Sequence, residues 1–150
     1  MKRFKFTLET VANYKKTVEK SRKADLSDAQ NELRRLEAIR LDLEGIFNRN
    51  TEQRQQAIEE NTSDTAELIR YDVFFKYLRE EIDKVNEEIK KAEAHRDKCM
   101  ELVIEVMKEV KVFQNLKEEE YLQYREEVRI EEEKEISGIV SFRTVNPDMV

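Results

Sequence analysis

The chain has 150 residues, with 28 Lys and Arg against 34 Asp and Glu, and a formal net charge of −6. Charged residues make up 41% of it, against roughly 25% in an ordinary globular domain. With only two glycines and one proline, it cannot form the many tight turns of β-sandwiches, β-barrels and doubly wound sheets. Ala, Glu, Lys, Leu and Arg supply 73 residues, a composition typical of long helices or a coiled coil.

The single cysteine, Cys99, excludes a disulfide within the chain. No apolar run follows the opening Met1-Lys-Arg-Phe-Lys-Phe6, so we expect no signal peptide. No aliphatic run approaches the roughly 20 residues that a bilayer span requires. We therefore expect a cytoplasmic protein that does not cross a membrane.

The first predicted element is helix 1, from about residue 7 to 60, with a broad and irregular apolar face. Gly45 lies inside it and marks a soft spot or a place of close approach, because glycine costs about 1 kcal/mol relative to alanine in a helix. The face is formed by a row of apolar residues at approximate heptad spacing: Leu8, Val11, Val18, Leu26, Ala29, Leu33, Leu36, Ile39, Leu43, Ile46 and Phe47.

A turn is predicted at residues 61–65, the only cluster of small polar residues between the two apolar stripes. Asp64 followed by Glu67 resembles a capping box, which is typical of a helix start. A turn this short makes the flanking helices antiparallel neighbours. The two helices are therefore expected to form a hairpin.

Helix 2 is predicted from about residue 65 to 137 and carries a regular heptad seam, with thirteen of fourteen positions apolar or aromatic. Such a sustained 3.5-residue repeat predicts a left-handed supercoil. Beyond Gly138, the helical pattern is lost, and Pro147 favours a flexible tail over 139–150. The seam positions are Leu68, Tyr71, Phe75, Leu78, Ile82, Val85, Ile89, Ala92, Arg96, Cys99, Val103, Val106, Val110 and Phe113.

The predicted fold is thus all-α, with two long helices forming an antiparallel coiled-coil hairpin over residues 1–138. A turn centred near Ser63 pairs residues whose numbers sum to about 126, so that Leu36 lies near Lys90. Charge favours this register, since residues 2–23 carry eight basic and two acidic side chains, whereas residues 101–122 carry six acidic and three basic ones. The seam alone leaves the oligomeric state open, because it can also form a parallel dimer or a four-helix bundle.

The sequence offers little for catalysis or for a cofactor. Gly45 and Gly138 stand too far apart for a phosphate-binding loop. His95 and Cys99 share one helix face and could both bind a metal, but Cys99 also suits a packed seam position, which we favour. The basic residues near the amino end suggest a nucleic-acid patch, which the net charge disfavours. We therefore predict no catalytic, cofactor or metal site and no nucleic-acid partner.

Aromatic residues outside the seam are more informative. Phe74 flanks the seam and Tyr77 points away from it, and a two-helix coil has no interior to cover Tyr77. The ring of Tyr77 either lies along the coil or meets a partner. A second apolar group lies where the chain ends meet: Phe4, Phe6, Leu116, Tyr121, Leu122 and Tyr124.

Three segments resemble the flagellar FliJ family: the opening Phe4-Lys-Phe-Thr-Leu-Glu-Thr-Val11, the central Tyr71-x-x-Phe74-x-x-x-Leu78-x-x-x-Ile82, and 116–136 with its Glu131-Glu-Glu-Lys-Glu-Ile136. The family's usual Asp-Glu pair appears here as Lys134-Glu135. The resemblance implies a soluble part of the type III flagellar export apparatus, at the cytoplasmic side of the inner membrane and peripheral to it only through partners. It also implies a coiled coil similar to a rotary-ATPase stalk, seated in the hexameric ring of the export ATPase FliI.

The resemblance further implies contact with the export gate protein FlhA and escort of empty export chaperones. The matching central segment implies a gate contact at Tyr71, Phe74 and Leu78. We add Phe47 and Tyr77 to this contact from their expected exposure. Ring contact is expected on Phe4, Phe6, Leu8, Leu116, Tyr121 and Tyr124, with Lys15, Lys16 and Arg22 as electrostatic guides.

Two other functions remain open from the sequence. The chain could be a coiled-coil spacer. It could also be a holdase-like chaperone that binds unfolded chains at the end of the hairpin opposite the turn, where the chain ends meet. No short alternating strands are present from which a prefoldin-type base could be built. The third possibility is an enzyme or metal protein centred on His95 and Cys99.

Overall fold

The computed structural model describes residues 2–146, which form two helices, α1 (Glu9–Glu59) and α2 (Thr65–Val145), and no strand. The helices pack against each other antiparallel, since early residues of α1 contact late residues of α2 and late residues of α1 contact early ones. The predicted all-α helical hairpin is confirmed.

A hydrogen-bonded turn ends α1. The Thr62 amide donates to the Ala57 carbonyl at 3.0 Å, and the Asn61 amide donates to the Ile58 carbonyl at 3.2 Å. Asn61 adopts a positive φ of 52°, the left-handed conformation that asparagine tolerates better than most residues. These bonds make up a Schellman motif, which satisfies the last carbonyls of the helix and reverses the chain.

An acidic cap begins α2. The Glu67 amide donates to Oδ1 of Asp64 at 2.8 Å, which satisfies one of the amides that a helix start leaves without a partner. Glu67 itself lies in the first turn, where a negative charge is favoured by the helix dipole. The Asp64 cap predicted from the sequence is therefore present.

The predicted seam of α2 faces the protein interior along its whole length. All fourteen seam positions are buried or half-buried, including Arg96. Every buried residue of α2 lies on this seam. The 3.5-residue repeat thus identified the packing face of the helix from the sequence alone.

The chain divides into two compact units, and the first, the loop unit, comprises residues 21–104. Its core is a cluster of Leu33 and Leu36 from α1 against Val85 and Ile89 from α2. Arg54 forms an ion pair with Asp72 at 3.3 Å, and Arg40 Nη1 donates to Asn86 Oδ1 at 3.3 Å. Both pairs have residue numbers that sum to 126, which is the predicted register.

The second unit, the terminal unit, comprises residues 1–20 and 105–150, of which 2–20 and 105–146 are described. Phe6, Ala12, Val106 and Val110 are buried in it. Glu9 forms an ion pair with Lys117 at 3.4 Å, again with residue numbers that sum to 126. The terminal unit keeps the predicted register as well.

The end of α2 differs from the prediction, because the helix continues past Ser137 to Val145. Gly138 does not adopt a positive φ, so it weakens the helix without ending it. Beyond Tyr124, side chains one turn apart support the helix, with Arg129 pairing to Glu126 and Glu133. The predicted helix end at residue 137 is corrected to 145, and Pro147 lies outside the described residues.

Candidate protein-binding surfaces

Three aromatic rings join the amino-terminal segment to α2 in the terminal unit. The ring of Phe4 lies 5.2 Å from that of Tyr121 and 5.4 Å from that of Tyr124, measured between centroids. The Tyr124 hydroxyl donates to the carbonyl of Lys2 at 2.9 Å. Aromatic pairs at these distances stabilise a structure by more than the burial of their surface alone. Residues 2–4 are therefore held against α2 although they form no helix.

Further contacts complete this terminal surface, which we define as Phe4, Phe6, Leu8, Leu116, Tyr121 and Tyr124. Phe6 is buried, whereas Leu8, Leu116 and Tyr121 remain exposed. The amide and hydroxyl of Thr7 both donate to Oε2 of Glu120 at 3.1 Å. The six predicted ring-contact residues with apolar or aromatic side chains thus all lie in the terminal unit, and Phe6 alone among them is buried.

The three predicted electrostatic guides are placed differently. Lys15 forms an ion pair with Glu109, with 2.5 Å between Nζ and Oε2. The hydrogen bond to Glu109 raises the pKa of Lys15 above its ordinary value. Lys16 is exposed in the same unit, whereas Arg22 is half-buried in the loop unit. The charge of Lys15 is therefore already engaged within the chain.

A second group of aromatic residues lies in the loop unit. The Phe47 ring is 5.1 Å from that of Phe75, and Phe75 is 6.1 Å from Tyr71. The Arg79 guanidinium lies 5.7 Å from the centroid of Phe47, a cation–π distance. Phe47 is half-buried by these contacts, so its exposure is less than the sequence suggested.

Phe74 and Tyr77 form a stacked pair beside this group, with 6.3 Å between centroids. Tyr77 is exposed, as its position away from the seam predicted, and Phe74 is half-buried. Leu78 is the most deeply buried side chain of the described residues, at 2% exposure. We call Phe47, Tyr71, Phe74, Tyr77 and Leu78 the aromatic surface, in which Leu78 packs underneath and the others reach the solvent to different degrees.

Two exposed aliphatic residues beside Tyr77 were missed by the sequence analysis. Val73 lies one turn and Ile69 two turns before Tyr77 on α2, and both are exposed. Both are aliphatic, whereas the residues expected to be exposed outside the seam were aromatic. Heptad positions that face away from the seam are normally polar, so an aliphatic residue at such a position is a signal that could have found both.

The His95 and Cys99 side chains meet but do not form a metal site by themselves. His95 Nε2 lies 3.7 Å from the Cys99 sulfur, and the cysteine is buried on the seam. Among residues 2–146, no group of three His, Cys, Asp or Glu side chains could hold a metal ion. The packing role of Cys99 that the seam predicted agrees with its burial.

No helix within the described part of the chain is long and apolar enough to cross a membrane.

In a comparison with family models, residues 4–144 match the family described as flagellar FliJ protein. The chain belongs to the flagellar FliJ family. The match covers both units, including the terminal and aromatic surfaces. Comparisons with curated proteins and with solved structures found no match.

Membership of the FliJ family identifies the chain as a component of the flagellar export apparatus. The family is a structural, non-catalytic part of that apparatus. The two exposed surfaces described above are the candidates for partner binding.

Proposed function

We propose that the chain binds the hexameric ring of the export ATPase FliI as a central stalk, through the terminal surface. The observation that carries this proposal is the aromatic contact of Phe4 with Tyr121 and Tyr124. It holds a pre-ordered apolar surface next to exposed Leu8 and Leu116. Aromatic side chains are enriched in protein interfaces, and a pre-ordered surface loses less entropy on binding.

Charge around the terminal surface guides the approach of the ring. Lys16 is the electrostatic guide in this proposal, because exposed charges steer association, whereas Arg22 is half-buried in the loop unit. Lys15 acts mainly within the chain, where its pair with Glu109 holds α1 and α2 in register. Phe6 is buried, so it supports the contact from below.

The aromatic surface contacts the export gate protein FlhA in this proposal. Tyr77 is the most exposed member, and its stacking on Phe74 restricts the orientation of both rings. Phe47 and Tyr71 pack on Phe75 and form the half-buried base of the surface. Leu78 fixes α2 below them and does not itself reach a partner.

The mechanism follows from a stalk whose faces differ. A ring that surrounds unequal faces closes its nucleotide sites at some subunit interfaces and opens them at others. This couples ATP hydrolysis in the ring to opening of the export gate. The chain also escorts empty export chaperones. These partners hold it at the cytoplasmic side of the inner membrane, at the flagellar base.

Binding to the two partners can be measured with paired variants that serve as controls for each other. The purified chain is immobilised and offered FliI, or the cytoplasmic part of FlhA. Leu116→Ala with Tyr121→Ala is expected to reduce FliI capture and leave FlhA capture unchanged. Phe74→Ala with Tyr77→Ala is expected to do the reverse. If both double variants capture both partners as the wild type does, with helicity retained, this assignment of surfaces is wrong.

A holdase-like chaperone is the second candidate function, favoured by the last turns of α2. Ile136, Ile139, Val140 and Phe142 are all exposed there, and exposed apolar groups of this kind bind unfolded chains. Light scattering of an aggregating client protein separates the two functions. Suppressed aggregation that depends on Phe142, without any capture of FliI, would favour the holdase.

A further inference from the structure

An apolar row on α2 faces away from the seam in the loop unit. It consists of Ile69, Val73 and Tyr77, which are 55%, 65% and 54% exposed. They are spaced four residues apart on one helix, so their side chains form a continuous ridge. A two-helix unit places its apolar residues on the seam, so this outward row is not needed for its folding.

Basic residues border the outward row on both sides. With about 100° of rotation per residue, Arg70 lies about 60° to one side of Val73 and Lys76 about 60° to the other. No acidic residue falls within this arc between Ala66 and Tyr77, and Glu80 enters it only beyond the row, three residues after Tyr77. The nearest carboxylate on the flank, that of Asp72, is paired with Arg54. The row is therefore an apolar ridge whose flanks between Ile69 and Tyr77 are basic.

We propose that the outward row docks an amphipathic helix whose apolar stripe is flanked by acidic residues. A ridge of side chains four residues apart fits the groove of another helix, which is the commonest way in which helices pack. Acidic flanks would lie opposite Arg70 and Lys76, and this charge complementarity selects the partner. The row adjoins the aromatic surface through the stacked pair of Phe74 and Tyr77.

This inference deepens the proposed gate contact and rests on it. It assigns the docked helix to the gate protein and adds Ile69, Val73, Arg70 and Lys76 to the residues of the contact. Neither aliphatic residue supports the core, so serine at either position is expected to leave the fold intact.

The first experiment measures binding of the cytoplasmic part of FlhA to the full chain by isothermal titration calorimetry. Val73→Ser and Ile69→Ser are each expected to weaken binding about tenfold or more, because each removes a buried apolar contact from the complex. The control is Leu41→Ser, on α1 in the same unit, since Leu41 is 69% exposed but lies outside the row. Equal affinity of the wild type and Val73→Ser would overturn the inference and leave the gate proposal standing.

The second experiment tests the charge of the docked helix with two synthetic peptides of about 20 residues, long enough to form a helix. Both carry the same leucine stripe, flanked in one by glutamates and in the other by lysines. The wild type is expected to prefer the glutamate peptide, and the double variant Arg70→Glu, Lys76→Glu to prefer the lysine peptide. An absence of preference in the wild type would overturn the inference.

The two proposals fail in distinguishable ways. If FlhA does not bind the wild type while the glutamate peptide binds in a Val73-dependent manner, the gate assignment fails and the docking chemistry stands. Sedimentation equilibrium tests the remaining occupant, a second copy of the chain. Dimers that Val73→Ser abolishes, with no effect on either probe, would overturn the inference.

Discussion

The hydroxyl of Tyr124 donates a hydrogen bond to the carbonyl oxygen of Lys2, so residues far apart in sequence meet at 2.9 Å. The bond ties the non-helical amino-terminal segment to α2. Tyr124→Phe keeps the ring against Phe4 and removes only this bond. The bond should contribute about 0.5 to 1.5 kcal/mol to the free energy that holds the amino-terminal segment against α2. We expect faster tryptic cleavage after Lys5 in the variant, with little change in the unfolding midpoint.

The control for this prediction is Tyr14→Phe, because Tyr14 is exposed in the same unit. Its tryptic cleavage after Lys5 should match that of the wild type. Cleavage that is equally fast in the wild type and in Tyr124→Phe would mean that the bond does not hold the segment in solution.

Gly45 can be replaced to stabilise the chain. It lies in the interior of α1 without a positive φ, and the nearest atom to an added Cβ is Nη1 of Arg49 at 3.8 Å. That is an ordinary contact with a flexible side chain, so Gly45 is not a place of close approach. Gly45→Ala should raise the free energy of unfolding by about 0.5 to 1 kcal/mol. Urea denaturation followed by circular dichroism measures this, and a lower midpoint in the variant would contradict it.

Leu36 and Leu41 are a matched pair on α1 for testing the core of the loop unit. Leu36 is buried against α2, whereas Leu41 is exposed. Leu36→Ala should lower the free energy of unfolding by about 2 to 5 kcal/mol because it leaves a cavity. Leu41→Ala should change it by less than about 0.5 kcal/mol. Equal effects of the two substitutions on the urea midpoint would rule out the described packing.

The pair between Lys15 and Glu109 gives a pH dependence with a definite sign. The hydrogen bond to Glu109 raises the pKa of Lys15 above its ordinary value of 10.5. The stabilisation is therefore complete below the pKa of the unfolded chain and is lost as the pH rises through the folded value. From pH of about 9 to about 11.5, the wild type should lose more thermal stability than Lys15→Met.

Lys16→Met serves as the control for this pH series, because Lys16 is exposed on the same helix. Its melting temperature should fall with pH as steeply as that of the wild type. If the melting temperature of the wild type falls no more steeply with pH than that of Lys15→Met, the pair does not contribute to stability.

The fold was largely predictable because the heptad repeat and the turn depend on residues close in sequence. The seam identified Leu78, Ile89 and Val106 as packed residues, and all three are buried. Centring the turn near Ser63 gave the register that the contact of Arg54 with Asp72 confirms. In a two-helix hairpin, the turn and the seam together determine which residues meet.

The end of α2 was harder to predict, because Gly138 resembles a helix stop in sequence. Whether a glycine ends a helix depends on its φ, and the Gly138 φ is not positive. The aliphatic Ile69 and Val73 were missed for a different reason, since the prediction of exposed residues outside the seam rested on aromatic side chains. Burial of Phe47 by Arg79 and Phe75 depends on contacts across the two helices, which a single periodic pattern does not specify.

The central claim is that this FliJ-family chain acts by being held in the ATPase ring through its terminal surface. The most direct test is the rate of ATP hydrolysis by purified FliI alone, with the wild-type chain, and with the Leu116→Ala, Tyr121→Ala double variant. Val112→Ala provides the control, because Val112 is exposed in the same unit and lies outside the surface. We expect the wild type and the control to raise the rate of ATP hydrolysis equally, and the double variant to lose most of that increase. Turnover that is the same with all three chains, at unchanged helicity, would contradict the account.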